Sequence, residues 1–512
     1  NTTVIFLFCV KSRMVFTRKL FIAGIFYFII PVNAAWLSGC RHAVVVPVVL
    51  PVATPASTVK VVELAPETDP LFLPDDTTDM IYHRLSRKEA IFDFYRLRAN
   101  RLAWERNGNT TAVSDSLASF IRNIRYYGLL PQNYHHRELR ELDFPVLSDG
   151  DLRRRDLLLT DAFLVVVNDI RNGRLSRADQ RADSVNSLLL EKVLAEGILK
   201  ENIARAEPQL EGYRGLKQAL KRALDSAGTS ERKMLLEGVT ASTVPVHKLV
   251  RDIEINLERW RWEGNTFKGT YLLVNVPSFM LRLYTGDTLL LESRVIVGRP
   301  ENPTPILSSV IECFITYPYW HVPRKISVEE LLPSIQRDTT YLARNNFDVI
   351  DKSGKILDAA SLDWKSFDKD YFPVSLRQRE GADNSLGIIK FVFDNPYAVF
   401  LHDTNAKRLF RNETRAFSHG CIRMEKAEQL AHYLVTGDIK KRSEMVEKYL
   451  KQKTRHTVDA RTDLPIHVRY FTAEFLSGQL YQYNDLYYRD ARLAGALYSS
   501  MEEEALLSGE DN

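Results

Sequence analysis

The segment best equipped for chemistry is Phe417-Ser418-His419-Gly420-Cys421-Ile422-Arg423-Met424. Its thiol is flanked by serine, histidine, glycine and arginine, not by the apolar neighbours of an inert buried cysteine. Beyond it, Ala427, Leu430, Ala431, Leu434 and Val435 recur at helical spacing and stop at Gly437. That pattern predicts a loop feeding a helix N-terminus, where backbone N–H groups and the helix dipole favour a thiolate. Upstream, His402 closes the apolar stretch Phe400-Leu401 and is followed by polar Asp403-Thr404-Asn405. A strand-end histidine and a loop cysteine form the pair that thiol acyl transfer needs, a nucleophile and a base to take its proton. Cys313, inside VIECFITY, reads as a core residue, and a Cys313–Cys421 disulfide, which would destroy the nucleophile, is not expected. Four cysteines in 512 residues exclude a disulfide scaffold, and no Cys/His spacing suits zinc.

The elements around these residues divide the chain in two. From about residue 76 to 262 the period is helical. Leu157, Leu158, Ala162, Val165, Val166 and Ile170 keep to one face of a helix that Gly173 stops. Segments 88–104, 114–128 and 216–224 repeat the pattern, and His135-His136 reads as a solvated loop after Pro131, since adjacent histidines share no helix face. Near residue 270 the period changes to that of strands: 271–276, 279–284, 293–298, 310–317, 387–393 and 398–403. Phe279, Leu281 and Leu283 alternate onto one face, and Tyr284-Thr285-Gly286-Asp287 supplies a turn. A polar insertion between Pro323 and Asn384 is too long for a simple connection and has the character of a lid. A charged helix at 440–453, a returning strand at 465–475, tyrosines packing at 481–488 and a frayed end complete the chain.

Composition narrows the partners. The 45% hydrophobic and 26% charged fractions exclude wholesale disorder. The net charge of +4 lies in the leader, because residues 1–39 hold Lys11, Arg13, Arg18 and Lys19 and no acid. Without them the remaining 65 basic residues balance the 65 acidic ones, and a nucleic-acid footprint loses its support. LFIAGIFYFIIPV, directly after Arg18-Lys19, is short for a membrane span but fits a secretory signal, with Met14 as a plausible start. The run ends in Leu37-Ser38-Gly39-Cys40, which resembles a bacterial lipoprotein box and implies a lipidated Cys40 and attachment to a membrane; cleavage after Ala34 and an uncleaved anchor are the alternatives. All three place the body outside the cytoplasm. Residues 43–60, rich in valine with three prolines, read as an extended tether.

His402, fifteen intervening residues, then Ser418-His419-Gly420-Cys421 resembles the signature of the YkuD-type L,D-transpeptidases of bacterial cell walls. Asn256-Leu257-Glu258-Arg259-Trp260-Arg261-Trp262, Val295-Ile296-Val297-Gly298-Arg299, Pro318-Tyr319-Trp320, Lys390-Phe391 and Leu401-His402-Asp403-Thr404 are similar to the large Gram-negative members. The resemblance implies an α+β chain: a helical scaffold domain (76–262), then a mostly β YkuD-like catalytic domain (263–484) with a capping insertion at about 323–386. A signal peptide (1–39) and linker (40–75) precede these, and a C-terminal tail (485–512) follows. It implies that Cys421 attacks, that His402 is the base, that His419 shapes and polarises the site, and that Gly420 and Cys421 amides form an oxyanion hole. Arg423 would contact a substrate carboxylate, with a helix-start salt bridge as its structural alternative. Ser418, Asp403, Thr404, Arg377, Asn384, Trp320 and Tyr319 would complete the substrate site, packing being the alternative for the two aromatics.

The implied partners are peptidoglycan stem peptides in the periplasm. A tetrapeptide stem would acylate Cys421 with loss of D-Ala, and a second stem's diaminopimelate amine would resolve the thioester. Thioester energy drives the second amide, so no cofactor or metal is called for. Two departures stand out. The stretch from Leu224 to Asn256 is too short for the helical peptidoglycan-binding module of many large members, and Arg423 stands where many smaller members carry Asn. An L,D-carboxypeptidase at the same site and a non-catalytic envelope scaffold are the rival functions. Oligomeric state leaves no trace in the sequence.

Overall fold

Amphipathic helices dominate the first half of the computed structural model, which describes residues 83–106, 109–143, 148–176, 182–237, 245–264 and 266–508. The leader, the tether and Cys40 lie outside the described residues. The helices are α1 (Lys88–Leu97), α2 (Ala112–Arg122), α3 (His136–Glu141), α4 (Asp149–Asn172), α5 (Ala182–Glu196), α6 (Lys200–Ala204), α7 (Glu211–Ser226), α8 (Thr229–Leu236) and α9 (Pro245–Arg261). Ser148 caps α4 by accepting the Asp151 amide, and Gly173 ends it at φ +89°. Leu158, Ala162, Val166 and Ile170 of α4 are fully buried, while Leu157 and Val165 are half-buried.

The same helix buries polar groups. Asp156 accepts the Ala103 and Trp104 amides, and Asp161 accepts those of Ser86 and Arg87. Buried carboxylates survive because each closes a turn of backbone that would otherwise lack partners. His135 corrects the expectation of a solvated loop. It precedes α3 in the left-handed conformation, with Nε2 2.6 Å from Asp161.

The second half forms a nine-stranded sheet from β1 (Thr270–Asn275), β2 (Met280–Thr285), β3 (Thr288–Gly298), β4 (Leu307–Thr316), β9 (Ile389–Phe393), β10 (Leu401–His402), β11 (Ala416–Ser418), β12 (Ile422–Met424) and β13 (His456–Arg469). Its order is β11-β3-β12-β10-β9-β4-β13-β1-β2. The sheet closes on itself, because β3 pairs with β2 along its first part and with β12 near its end. Closure removes open edges and encloses a core containing Leu272, Leu281, Val295, Phe314 and Phe391. Helix α10 (Ala427–Thr436) contributes Leu430, Ala431 and Leu434 to that core, and α11 (Glu444–Gln452) adds Val446.

Between β4 and β9 the cap forms a separate four-stranded sheet. Its strands are β5 (Trp320–His321), β6 (Phe347–Ile350), β7 (Ile356–Leu357) and β8 (Ser375–Gln378), in the order β5-β8-β6-β7. The cap has its own core of Ile335, Leu342, Phe347, Trp364 and Leu376. A second hydrophobic centre that small would be marginal alone, so the cap depends on its mounting at both ends.

The helical part docks on the β part through α7, α9 and the hairpin β14 (Ala473–Leu476) and β15 (Gln479–Gln482). Trp260 stacks on Phe471 with ring centroids 4.6 Å apart. Asn256 accepts the Thr472 amide at 2.9 Å, and Arg259 pairs with Asp490 at 2.6 Å. The last helix, α12 (Arg489–Ser508), returns to the other helices, where Tyr498 donates to buried Glu254 at 2.5 Å; of the end expected to fray, 502–508 continue this helix and 509–512 lie outside the described residues. No described helix is long and apolar enough to cross a membrane.

Gly215 sets the approach of α7 to β14, because a Cβ there would lie 2.2 Å from the Phe475 ring. Gly215→Ala is expected to destabilise the chain by about 1–3 kcal/mol through overpacking. Gly150→Ala, in α4 with nothing nearer than 3.7 Å, should be neutral or stabilising by up to about 1 kcal/mol. Thermal unfolding of the two variants checks this, and equal midpoints would refute the close approach.

Candidate active site

Alternation along three adjacent strands builds the site. Phe391 of β9 pairs with Phe314 and Leu401, and Leu401 pairs with Ile422; all four are buried in the closed sheet. The next residues along must face the other way. There, in register, Ile315, Lys390, His402 and Arg423 form one row on the outer face. Short strands suffice because each residue in the row is fixed by ladder partners on both sides.

Cys421 immediately precedes β12, in a loop braced by its own side chains. Ser418 Oγ donates to the Cys421 carbonyl at 2.5 Å and accepts the Gly420 amide at 3.1 Å. Gly420 sits at φ +108°, a conformation that side chains rarely adopt. Thr304 Oγ1 donates to the Gly420 carbonyl at 2.9 Å and accepts the Gly298 amide at 2.8 Å, tying the loop to the end of β3. Two expectations change here. The thiol does not lie at a helix N-terminus, because β12 intervenes and α10 begins only at Ala427. The Gly420 amide is engaged by Ser418, whereas no side chain claims the Cys421 amide among the described residues.

Burial dominates the electrostatics. It pushes the Cys421 thiol above its ordinary range, against the Phe400 backbone and the Lys390 and Arg423 charges, which pull it down. His402 is lowered to about 3, first by burial and then by Arg423, with the Asp403 carbonyl opposing. Its Nδ1 lies 2.5 Å from that carbonyl. A carbonyl only accepts, so Nδ1 carries the proton and Nε2 keeps its lone pair. Among the described residues no hydrogen bond joins Cys421 to the imidazole. The resting site therefore holds a neutral thiol and a neutral imidazole, not an ion pair.

The other expected residues divide by what they touch. Arg423 is half-buried and forms no ion pair among the described residues, so the helix-start salt bridge is not made. Asp403 is buried, accepts the Ile388 amide at 3.1 Å and pairs with Lys407. Thr404 accepts the Ala406 amide at 3.2 Å. Asn384, 1% exposed, donates to the Pro318 and Arg379 carbonyls and so ties the base of the cap. Gly387 permits this crowding, since a Cβ there would lie 2.4 Å from Asp403. Arg377 forks onto Asp348 at 2.7 and 3.2 Å, and its guanidinium lies 4.6 Å from the Tyr319 ring. Arg455 covers the same ring at 5.6 Å, and Trp320 packs toward Phe347 in the cap. In this structure Asp403, Thr404, Ser418, Asn384 and Arg377 are thus engaged in bracing contacts, Tyr319 lies against Arg377 and Arg455, and Arg423 makes no ion pair among the described residues.

His419 points to the cap. Its Nε2 lies 2.5 Å from Glu330, and Arg299 reaches both groups. This exposed cluster contributes at most about 1 kcal/mol, but it links the cap to the nucleophile loop. Cys313, expected in the core, is half-buried instead. A register shift between Val392 and Phe393 turns Ile311 and Phe314 inward and leaves Cys313 opposite Val392. Lys390 enters the sequence reading only as half of the motif Lys390-Phe391, with no site role, and the structure adds it to the row. Its signal was a lone lysine among Ile389, Phe391 and Phe393. No group of three or more His, Cys, Asp or Glu side chains suited to a metal occurs among the described residues.

Residues 269–446 match the family model described as the L,D-transpeptidase catalytic domain, YkuD, and residues 89–220 match a scaffold domain. A Haemophilus influenzae protein with the provisional name L,D-transpeptidase is 34% identical over 247 residues, 48% of this chain and 49% of the relative. The chain therefore spans about half the length of that relative. A solved L,D-transpeptidase from Mycobacterium smegmatis shares 12% identity over 39% of this chain and 58% of its own, with a TM-score of 0.19.

A buried neutral thiol predicts a definite alkylation profile. The rate of Cys421 modification by iodoacetamide, followed by peptide mapping, is expected to keep rising above pH 9. A plateau already reached at pH 6 would show a resting thiolate and contradict the assignment.

Proposed function

The chain carries an L,D-transpeptidase catalytic domain joined to a scaffold domain, and on that premise we propose that it cross-links peptidoglycan stems through a thioester on Cys421. The observation that carries this reading is the register of His402 beside Arg423, two residues beyond Cys421 and therefore on the same side of the strand. The base and a cation without an acidic partner thereby share one face with the braced thiol.

In the first step Sγ attacks the carbonyl at the L-centre of diaminopimelate in a tetrapeptide stem. The thiol proton passes to Nε2 of His402 and from there to the departing D-Ala amine. The Cys421 amide is the donor available to the oxyanion. Because the resting pair is neutral, charge separation occurs only when the bound substrate completes the site. A substrate carboxylate on Arg423 would lessen the cation's penalty on a protonated His402 and so raise the basicity of the ring.

In the second step the side-chain amine of another stem attacks the thioester, passes its proton to His402 and releases Cys421. The product is a direct diaminopimelate–diaminopimelate link. The cap, held to the loop through Glu330 and His419, serves to exclude water, which would divert the thioester to hydrolysis. The leader at 1–39 and Cys40 support export to the periplasm and a lipid anchor as part of the same proposal.

Purified tetrapeptide-stem muropeptides should yield dimers with release of D-Ala, read by mass spectrometry. Cys421→Ala should lower turnover by at least about a thousandfold, as expected for loss of a covalent nucleophile. Tripeptides without dimers would assign an L,D-carboxypeptidase instead. Undiminished turnover of Cys421→Ala would overturn the nucleophile assignment.

A further inference from the structure

Lys390 is placed as few lysines are. It sits near the centre of β9, paired on one side with Ile315 and on the other with His402, so backbone register holds it beside the base. Its ammonium lies 3.5 Å from the Phe400 ring centroid, and Phe400 is the residue next to Cys421 across the ladder, where its carbonyl accepts the Ile422 amide. Among the described residues Lys390 has no carboxylate partner. A partly buried ammonium without an acid is costly, and an aromatic face offsets only part of that cost.

The groups that face Lys390 sharpen the point. Burial lowers the Lys390 ammonium below its ordinary range, Cys421 and Cys313 oppose this as sources of negative charge, and Arg455 repels it, as does His402 whenever it is protonated. The cap adds His321, held neutral by burial and by Arg377, Lys390 and Arg455. No acid is present in this set, so the negative charge that Lys390 can meet must arise on a thiol. Arg423, on the other side of His402 from Lys390, also acts on Cys421 as a charge, and with no ion pair among the described residues its planar fork suits a carboxylate.

We propose that Lys390 is the fixed counter-charge of the Cys421 thiolate, a positioning residue that acts on the nucleophile and does not bind the substrate. This division of labour rests on Cys421 being the nucleophile. When Sγ gives its proton to His402, the sulfur becomes negative within the field of both Lys390 and Arg423. If Arg423 is then occupied by a substrate carboxylate, Lys390 remains the cation that stabilises the thiolate and, later, thioester breakdown back to thiolate.

The test uses the full chain with Lys390→Met, Lys390→Gln and Lys390→Arg, each checked by its thermal transition. Iodoacetamide modification of Cys421 is followed against pH by peptide mapping. The neutral variants should move the midpoint up by about one pH unit, a roughly tenfold slower reaction near neutrality, and Lys390→Arg should restore most of it. Acyl transfer should fall in kcat with little change in KM. An unchanged Cys421 profile with a raised KM would make Lys390 a substrate ligand and overturn the inference. If the nucleophile reading itself fails, Cys421→Ala retains turnover whatever the Lys390 variants do, so the two failures are distinct.

Discussion

A paired strand presents successive side chains to opposite faces, and the register of β9, β10 and β12 makes that rule decide the whole site. Phe391, Leu401 and Ile422 point into the closed sheet, so Lys390, His402 and Arg423 must share the outer face. A slip of one residue would bury two cations and expose the aromatic core. The apolar side of the ladder therefore fixes the functional side, and core packing and catalysis are two faces of the same constraint.

The outer face carries an electrostatic burden that the fold does not relieve internally. Lys390 and Arg423 have no acidic partners among the described residues, and between them the imidazole stays neutral while the thiol stays protonated. On the proposed function, a resting neutral pair limits wasteful reaction of Cys421 and leaves its activation to bound substrate. The cap extends this arrangement through Glu330, which reaches His419 and Arg299 from a lobe with its own core. Its link to the loop is exposed and weak, which on the proposed function suits a lid that opens to admit the stems.

Much of this was legible in the residues. The helix pattern of α4, the strand alternation after residue 270, the insertion and the Cys421/His402 pair all follow from period and residue type. The failures have physical causes. Ile422-Arg423-Met424 fits either period, so the residues alone predict a loop into α10 where the structure has the strand β12. The expected strand 398–403 shrinks to Leu401–His402 because Asn395 brackets Val399 with its side chain and Ala398 adopts φ +52°. The bracing roles of Asp403 and Asn384 depend on the Ile388 amide and the Pro318 carbonyl, groups distant in sequence that no local pattern encodes, whereas those of Thr404 and Ser418 are local turns. The return of α12 to the other helices is equally hidden, because it rests on Tyr498 meeting buried Glu254, far away in sequence.

The central claim is that burial and two unpaired cations keep His402 neutral in the resting site. Its ring resonance, assigned by comparison with His402→Gln and followed by NMR across pH, tests this directly. The structure predicts no titration between pH 5 and 8, since protonation lies near 3. A midpoint near the ordinary histidine value of about 6.5 would mean that the imidazole is solvated and the proposed site electrostatics are wrong.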